Sequence, residues 1–282
     1  MPFFNFQSFQ LFYYDSGSPL PGAPVITFIH GFTASLKVYK NQIQYFKPKY
    51  RVIALDLLGH GESSRPDPAI AGQWYTHNGF LESIVALLDH LSIQRTTILG
   101  WSMGTGASVE LARRYPERVD NLILIGASPL FLLPTDEPTF PGIPKSVADA
   151  VLESMRTQYR EFYYGFVFGW FPDYVAGELP PKYIEDALDD AATMSGKTAY
   201  GILSQVGPED FRERTSEVRT RALIVQGGKD STIPTEAARW LYDHLSGEKE
   251  WVFYENEGHA PFLGPNTDKF NADLERFLQL SN

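Results

Sequence analysis

The segment Gly100-Trp101-Ser102-Met103-Gly104 has the spacing G-x-S-x-G and lies between a strand-like and a helix-like stretch. Residues 95–99 are apolar and β-branched, whereas residues 105–114 have the composition of a helix. A strand that runs directly into a helix forces a tight, strained turn, and small residues on both sides of its apex let the chains pass closely. The sequence therefore predicts that Ser102 presents a nucleophilic hydroxyl, with a backbone N–H of the helix start facing any negative charge that develops.

A serine hydroxyl needs a base to take its proton, and histidine is the usual base near neutral pH. His259 lies in the loop after the last predicted strand, and His30 and His60 follow earlier ones. Loops at the carboxyl ends of parallel strands are where α/β proteins build sites, but spacing alone does not choose among these three histidines. The other three are expected at the surface, in loops or helices: His77, His90 and His244.

A base of this kind is usually oriented by a carboxylate, which also offsets the charge of the imidazolium. Asp230 is the stronger candidate, because it closely follows the predicted strand at residues 222–225. Asp56, directly after the strand at residues 51–55, is the alternative, although it could instead cap the turn at residues 59–63. The chain order Ser102, Asp230, His259 is typical of an enzyme with a nucleophile at a strand–helix turn.

The elements that must position these groups alternate between buried strands and helices. A hairpin is predicted at residues 3–14, with its turn at Gln7-Ser8, and a helix at residues 78–91. Unbroken apolar runs predict further strands at residues 25–29, 51–55, 95–99, 122–125, 222–225 and 251–254. This alternation predicts the α/β class, with a mostly parallel central sheet flanked by helices.

The alternation stops at residue 127. Residues 128–216 are rich in proline and aromatics, and they predict helices at residues 146–157, 158–168, 183–194 and 198–206. Two further helices are predicted at residues 235–244 and 267–280, after the sheet resumes. The predicted organisation is therefore one α/β core, residues 1–127 and 217–282, interrupted by a helical insertion at residues 128–216.

Composition limits the function further. The net charge of −10 and pI near 5.1 oppose nucleic-acid binding, which needs a basic surface. Cysteine is absent, so disulfides and thiolate chemistry are excluded, and no metal site is predicted. The N-terminus lacks the pattern of a signal peptide and no apolar run is long enough for a bilayer, so we expect a cytoplasmic protein without a membrane contact.

Five segments, in order, resemble the α/β-hydrolase fold across nearly the whole chain. They are residues 30–32 (HGF), 56–63 (DLLGHGES), 100–104 (GWSMG), 227–230 (GGKD) and 258–262 (GHAPF). The resemblance implies a Ser102–His259–Asp230 triad, an oxyanion hole formed by the backbone N–H groups of Phe32 and Met103, and a cap formed by residues 128–216. Dehalogenases and epoxide hydrolases of this fold carry aspartate where this chain has Ser102. Serine implies acyl transfer to water, which needs no cofactor.

Residues 100–102, 127–129, 140–144 and 259–262 more closely resemble the pimeloyl-acyl-carrier-protein methyl ester carboxylesterases. That resemblance implies a serine carboxylesterase acting on an acyl methyl ester, with an acyl carrier protein as a possible partner. Family members bind the carrier through cap arginines, and the candidates here are Arg156, Arg160, Arg212 and Arg214, which could equally be solvated helix residues. The alternatives are a lactonase, a haloperoxidase-like enzyme and a non-catalytic ligand-binding protein of the same fold.

Aromatic residues are unusually dense at positions 159–171. They could line an apolar pocket for the substrate or simply pack the insertion onto the core. The candidates for the substrate pocket, from this segment and around the serine, are Trp101, Phe131, Tyr163, Phe166 and Trp170.

Overall fold

The structure, a computed structural model, describes residues 2–137, 139–174 and 179–279. Its centre is an eight-stranded sheet with the order β1-β2-β4-β3-β5-β6-β7-β8. The strands are β1 (Phe3–Phe6), β2 (Phe9–Asp15), β3 (Val25–Ile29), β4 (Arg51–Leu55), β5 (Thr96–Trp101), β6 (Val119–Ile125), β7 (Ala222–Gly227) and β8 (Lys249–Tyr254). β1 and β2 form the predicted hairpin, and β2 is antiparallel to β4. β3 to β8 are parallel, which confirms the predicted α/β sheet.

The central strands are apolar at consecutive positions because both faces of the sheet are covered. All six residues of β5 are buried, and its neighbouring side chains point to opposite faces. Ile98 belongs to the core on one face and Leu99 to the core on the other. Each such buried side chain contributes about 1.5–3 kcal/mol to folding, so these runs fix which segments form the sheet.

Eleven α-helices lie in the described residues. They are α1 (Lys40–Phe46), α2 (Pro68–Ala71), α3 (His77–His90), α4 (Met103–Arg114), α5 (Lys145–Thr157), α6 (Tyr159–Phe168), α7 (Lys182–Ala192), α8 (Gly196–Val206), α9 (Arg212–Thr215), α10 (Thr235–His244) and α11 (Thr267–Gln279). Four 3₁₀ turns complete them: Leu36–Tyr39, Gly72–Trp74, Pro116–Arg118 and Gly264–Asn266. α3 and α4 cover one face of the sheet, and α1 and α11 cover the other. Residue 280, the predicted end of the last helix, lies outside the described residues.

Between β6 and β7 the chain forms α5 to α9 within residues 128–216, which we call the helical segment. The four helices predicted there correspond to α5–α8, with ends that differ by at most two residues. Pro144 and Pro181 directly precede α5 and α7. A proline at this position marks the start of a helix, because it has no N–H to donate and its ring clashes with a preceding helical turn. Ser195 caps α8, because its side chain accepts a hydrogen bond from the backbone N–H of Thr198.

The strand order places one crevice at the carboxyl end of the sheet. From β3 the chain crosses to β4 on one side and then to β5 on the other side of β3. In open α/β sheets, ligands bind at such a reversal, outside the carboxyl ends of the two strands. The loops after β3 and β5 are those that carry Phe32 and Ser102.

Candidate active site

Ser102 occupies the turn between β5 and α4, with backbone angles of φ +53° and ψ −123°. A non-glycine residue held at positive φ stores roughly 1–3 kcal/mol of strain. The glycines on both sides allow the close packing that the turn requires. A Cβ at Gly100 would lie 2.4 Å from Ser108 Oγ, and one at Gly104 would lie 2.6 Å from the His30 carbonyl oxygen.

The strained turn is held by the neighbouring strands. The backbone N–H of Ser102 donates a hydrogen bond of 2.9 Å to the carbonyl of Ile125, the last residue of β6. On the other side, a Cβ at Gly31, just after β3, would lie 3.0 Å from Ser102 Cβ. Ser102 remains partly exposed and faces a cavity, so its hydroxyl is accessible to a ligand.

His259 and Asp230 meet across the loops after β8 and β7. His259 Nδ1 lies 2.8 Å from Asp230 Oδ2, and both side chains are almost wholly buried. Asp230 Oδ1 accepts two further hydrogen bonds, from the backbone N–H groups of Thr232 and Ile233. An ionised carboxylate only accepts, so Nδ1 carries the proton of this imidazole and Nε2 is the nitrogen left to accept one.

The contact expected between His259 and Ser102 is not formed as a hydrogen bond. His259 Nε2 is buried without a hydrogen-bond partner among the residues that the structure describes. The ring packs against Trp101, the residue before Ser102, with ring centroids 5.5 Å apart, and a Cβ at Gly126, which lines the same cavity as Ser102, would be 2.9 Å from His259 Nδ1. Catalytic hydrogen bonds are often long or poorly aligned before a ligand binds, so a catalytic base need not show this bond in the ligand-free protein.

Phe32 and Met103, the expected oxyanion donors, both border the cavity beside Ser102. Met103 is the first residue of α4, and N–H groups in the first turn of a helix have no partner within it. Phe32 lies in the turn after β3, next to Gly31. The two backbones therefore approach Ser102 from different strands, one on each side of the crevice.

The cavity in front of Ser102, here called the Ser102 cavity, has a volume of about 470 Å³. Both the strand-end loops and the helical segment contribute to its wall, which is mainly apolar. Two of the five predicted pocket residues, Phe131 and Phe166, belong to this wall, and Phe162 lies beside Phe166 with the rings 5.6 Å apart. A cavity of this size suits a small organic ligand.

Trp101, Tyr163 and Trp170, the other three predicted pocket residues, do not line this cavity. Trp101 is fully buried, and its Nε1–H donates to the carbonyl of His259 at 2.9 Å. Trp170 packs edge-on against Trp101 at 4.9 Å, and Tyr163 is buried in the same core cluster. These three side chains lie in the core beneath the site, so they support the His259 loop and the helical segment rather than face a ligand.

His30 and Asp56 serve the loop after β4. His30 Nδ1 donates to the carbonyl of Gly31, and Nε2 accepts from the N–H of Leu57, so both ring nitrogens are occupied. Burial lowers the pKa of His30 to about 4. Asp56 accepts from the N–H groups of Leu36 and Glu62, and burial raises its pKa to about 7. Asp56 thus takes the turn-capping position considered above, and no hydrogen bond joins it to His259 in the part of the chain that the structure describes.

His60 shares the environment of His30, at a ring separation of 4.9 Å. Burial lowers its pKa well below the usual range, and Nδ1 donates to the carbonyl of Leu58. The prediction that His77 is a surface residue is wrong: it is buried, it lines the Ser102 cavity, and Nδ1 lies 2.8 Å from Glu209 Oε2. His90 and His244 are exposed as expected.

No group of three or more His, Cys, Asp or Glu side chains that could hold a metal ion occurs in residues 2–137, 139–174 and 179–279. Over the same ranges, no helix is both long and apolar enough to cross a bilayer.

Curated relatives match almost the whole chain. A putative non-heme chloroperoxidase from Synechocystis sp. is 30% identical over 98% of this chain and 97% of its own length. Strigolactone esterase D14 from Arabidopsis thaliana is 27% identical over 92% of each chain. A pimeloyl-[acyl-carrier protein] methyl ester esterase from Nitrosomonas europaea is 24% identical over 85% of this chain and 90% of its own.

The family comparison agrees with the architecture. The sequence signature of the alpha/beta hydrolase fold matches residues 24–265, from the start of β3 to the loop before α11. The sheet order, the strained serine between β5 and α4 and the histidine loop after β8 are all contained in that span. This chain therefore belongs to the alpha/beta hydrolase fold family.

Proposed function

We propose that this protein is a serine-dependent carboxylic ester hydrolase that works through an acyl-enzyme, with Ser102 as nucleophile, His259 as base and Asp230 as its orienting acid. The observation that carries the proposal is the 2.8 Å contact between His259 Nδ1 and Asp230 Oδ2. It fixes the tautomer that leaves Nε2 free to take a proton, in a ring packed near the strained serine.

The reaction follows from this arrangement. Ser102 Oγ attacks the ester carbonyl carbon while its proton passes to His259 Nε2. The electron pair of the C=O bond moves to oxygen, which the N–H groups of Phe32 and Met103 stabilise. The C–O bond to the alcohol then breaks and the imidazolium protonates the leaving oxygen. Water repeats these steps on the acyl-enzyme, which releases the acid and restores Ser102.

The helical segment acts as a cap in this proposal. Phe162 and Phe166 of α6 and Leu203 of α8 form apolar wall opposite the strand-end loops, so a bound acyl or alkyl group is enclosed. Apolar walls exclude water from the oxyanion and strengthen its hydrogen bonds. A small ester fits the cavity volume, and no cofactor is needed for hydrolysis.

An acyl carrier protein is not needed as a partner. Arg156 and Arg212 pair with Glu153 and Asp210 of their own surroundings. Arg160 lies over the ring of Tyr164. Arg214 contacts Glu110 at 3.4 Å and Glu209 at 3.5 Å. Docking an acidic carrier would compete with these contacts, and it would also oppose the protein's net charge of −10. We therefore favour a free ester substrate, in a protein that we still expect to be cytoplasmic.

The proposal is tested by hydrolysis of short p-nitrophenyl esters and by covalent labelling with a fluorophosphonate. Ser102→Ala should abolish labelling and lower kcat by at least ~10⁴-fold, since the nucleophile is removed. Ser246→Ala is the matched control. Ser246 is exposed in the loop between α10 and β8, and its hydroxyl donates to the carbonyl of Ser216. Absence of both hydrolysis and labelling in the wild-type protein would overturn the enzyme proposal in favour of a ligand-binding protein.

Two alternative activities would use the same residues: a lactonase shares the first chemical step, and a haloperoxidase-like enzyme shares the triad. Hydrolysis of a lactone gives a single hydroxy acid, whereas hydrolysis of a methyl ester gives an acid and an alcohol. Comparing kcat/KM for lactones and for linear methyl esters of equal carbon number therefore separates a lactonase from an esterase. Bromination of monochlorodimedone in the presence of peroxide tests the haloperoxidase alternative. A preference of more than tenfold in kcat/KM for lactones or for peroxide chemistry would replace the esterase assignment.

A further inference from the structure

A second carboxylate–imidazole pair lines the Ser102 cavity and has no part in the proposed hydrolysis. His77 Nδ1 lies 2.8 Å from Glu209 Oε2, and both residues belong to the cavity wall. His77 begins α3 of the core, whereas Glu209 precedes α9 in the helical segment. The side chain of His77 is only 7% exposed and that of Glu209 is 25% exposed, so the imidazole is the more enclosed member of the pair.

Position and orientation of the His77 ring are fixed by its neighbours. Phe211 contacts it edge-on, with centroids 4.9 Å apart, and Arg214 lies over the ring of Phe211. A Cβ on Gly106 would lie 2.4 Å from both Cδ2 and Nε2 of His77, so the ring rests directly on α4. Gly106 is four residues after Ser102, a rise of about 6 Å along the helix axis. His77 therefore lies about one helical turn from the candidate nucleophile.

His77 Nε2 is the group that this arrangement leaves for a ligand. No hydrogen bond joins it to another residue in the described part of the chain, in contrast to Nδ1. Nε2 packs beside Gly106, and both His77 and Gly106 line the Ser102 cavity, so this nitrogen lies at the cavity wall. The carboxylate of Glu209 can only accept, so Nδ1 donates to it, and Nε2 either accepts or donates according to the charge of the ring.

The charges around His77 select the kind of ligand group. Burial raises the pKa of Glu209, but the hydrogen bond from His77 and the charge of Arg214 outweigh it, so that the pKa is lowered and the carboxylate stays ionised at neutral pH. Glu161 adds a second carboxylate to the cavity wall, whereas Lys and Arg are absent from the lining residues described. The two carboxylates repel a ligand carboxylate, and Arg214 beside Glu209 offsets part of this repulsion, whereas a hydroxyl can pair with Nε2 in either of its states.

We propose that His77, held by Glu209, is a specificity-determining residue that binds an uncharged hydroxyl group on the substrate, about one helical turn from the reactive carbonyl. The inference rests on the proposed ester hydrolysis and narrows its substrate to hydroxylated esters or lactones. The apolar walls take the carbon chain between the two polar groups of such a substrate.

The test uses three series of methyl esters with four to eight carbons in the acyl chain: ω-hydroxyalkanoates, plain alkanoates and monomethyl dicarboxylates. Acetates of the corresponding diols place the hydroxyl on the alcohol side. The wild-type protein should prefer the best hydroxylated ester to its matched alkanoate by about tenfold in kcat/KM, which is what one hydrogen bond in an enclosed site provides. His77→Phe keeps a ring against Phe211 and Gly106 and should bring this ratio to about one.

Glu209→Gln provides an isosteric second variant in case His77→Phe does not fold. Removal of this negative charge should raise the ratio of dicarboxylate monoester to alkanoate by about tenfold. Glu213→Gln, an exposed residue of α9 outside the cavity wall, is the matched control and should leave both ratios at their wild-type values.

Binding constants of the same esters for Ser102→Ala, with and without His77→Phe, separate this inference from the hydrolysis that it builds on. If esters are hydrolysed but neither turnover nor binding ratios respond to His77 and Glu209, the hydroxyl site is refuted while the esterase proposal stands. If turnover and labelling are absent but Ser102→Ala binds hydroxylated esters about tenfold more tightly through His77, the hydroxyl site stands and the esterase proposal fails.

Discussion

Two histidines near the Ser102 cavity have the same partner type at the same distance, yet they differ in what surrounds them. His259 meets Asp230, and His77 meets Glu209, both at 2.8 Å through Nδ1. Asp230 is fixed by backbone N–H donors of its own loop, whereas Glu209 is held by the flexible side chain of Arg214. A carboxylate–imidazole pair therefore does not by itself indicate a catalytic base.

The difference lies in the element that each imidazole faces. His259 packs over Gly126, next to the strained turn of Ser102, where a proton could be transferred. His77 packs on Gly106, the fourth residue of α4, which lies four residues after Ser102 in the chain. We therefore assign the His259 pair to the proposed reaction and the His77 pair to the proposed recognition of a ligand.

The largest effect that separates the two pairs is expected from removing the charge of each carboxylate. Asp230→Asn should lower kcat for p-nitrophenyl acetate by about 10⁴-fold, because an amide neither fixes the tautomer nor stabilises the imidazolium. Glu209→Gln should lower it by less than tenfold, since that pair does not take part in the reaction. Asp243→Asn, an exposed partner of Arg239 on α10, is the control for the loss of an ion pair.

Steady-state kinetics at pH 7.5, with circular dichroism to verify folding, measure both effects. Equal losses for Asp230→Asn and Glu209→Gln would mean that the two pairs do not differ in role, and the assignment of His259 as the only base would be abandoned.

The sequence was sufficient to predict the positions of groups that adjacent strands and helices fix. It was insufficient to predict contacts between residues that are distant in the chain and meet only in the folded protein. Ser102 was predictable because an apolar strand, two glycines and a helix adjoin it in the chain. The parallel order of β3 to β8 brings the loops of Asp230 and His259 together. The pairing of His77 with Glu209 spans 132 residues, and nothing in the sequence near His77 indicates it.

One signal could have revealed the environment of His77. Gly106 lies inside α4, where glycine costs about 1 kcal/mol relative to alanine, so its presence indicates a close neighbour. The prediction that Trp101 lines the substrate pocket was wrong for a different reason. Trp101 ends a strand that is buried on both faces, where even a large aromatic side chain points into the core. Such a strand does not show which of its residues faces a ligand.

The next largest effect tests the packing of the second pair directly. Gly106→Ala should destabilise the protein by about 2 kcal/mol, because the new methyl group collides with a buried ring and the gain in helix propensity does not offset this. Gly165→Ala is the matched control in α6: a Cβ there meets nothing within 4 Å, so it should stabilise by roughly 0.5–1 kcal/mol. Urea unfolding measures both values, and equal signs would contradict the close packing of His77.

The smallest effect concerns His30, a buried histidine whose ring nitrogens contact backbone groups instead of a carboxylate. Because burial lowers its pKa to about 4, the unfolded chain, with a value near 6.5, binds more protons between these limits. Its contribution to the free energy of unfolding is therefore complete above pH 6.5 and is lost as the pH falls toward 4. Between pH 7.5 and 5.5 this loss amounts to about 1 kcal/mol.

His30→Gln removes this titration, whatever its effect on stability at neutral pH. The wild-type protein should lose about 1 kcal/mol more than the variant when urea unfolding is repeated at pH 5.5 instead of pH 7.5. His60, buried beside it, is retained in both proteins and cancels from the difference to first order. His244→Gln, at an exposed position of α10, is the matched control and should follow the wild-type pH dependence. A variant of His30 with an unchanged pH dependence would show that burial without a carboxylate does not keep this imidazole neutral.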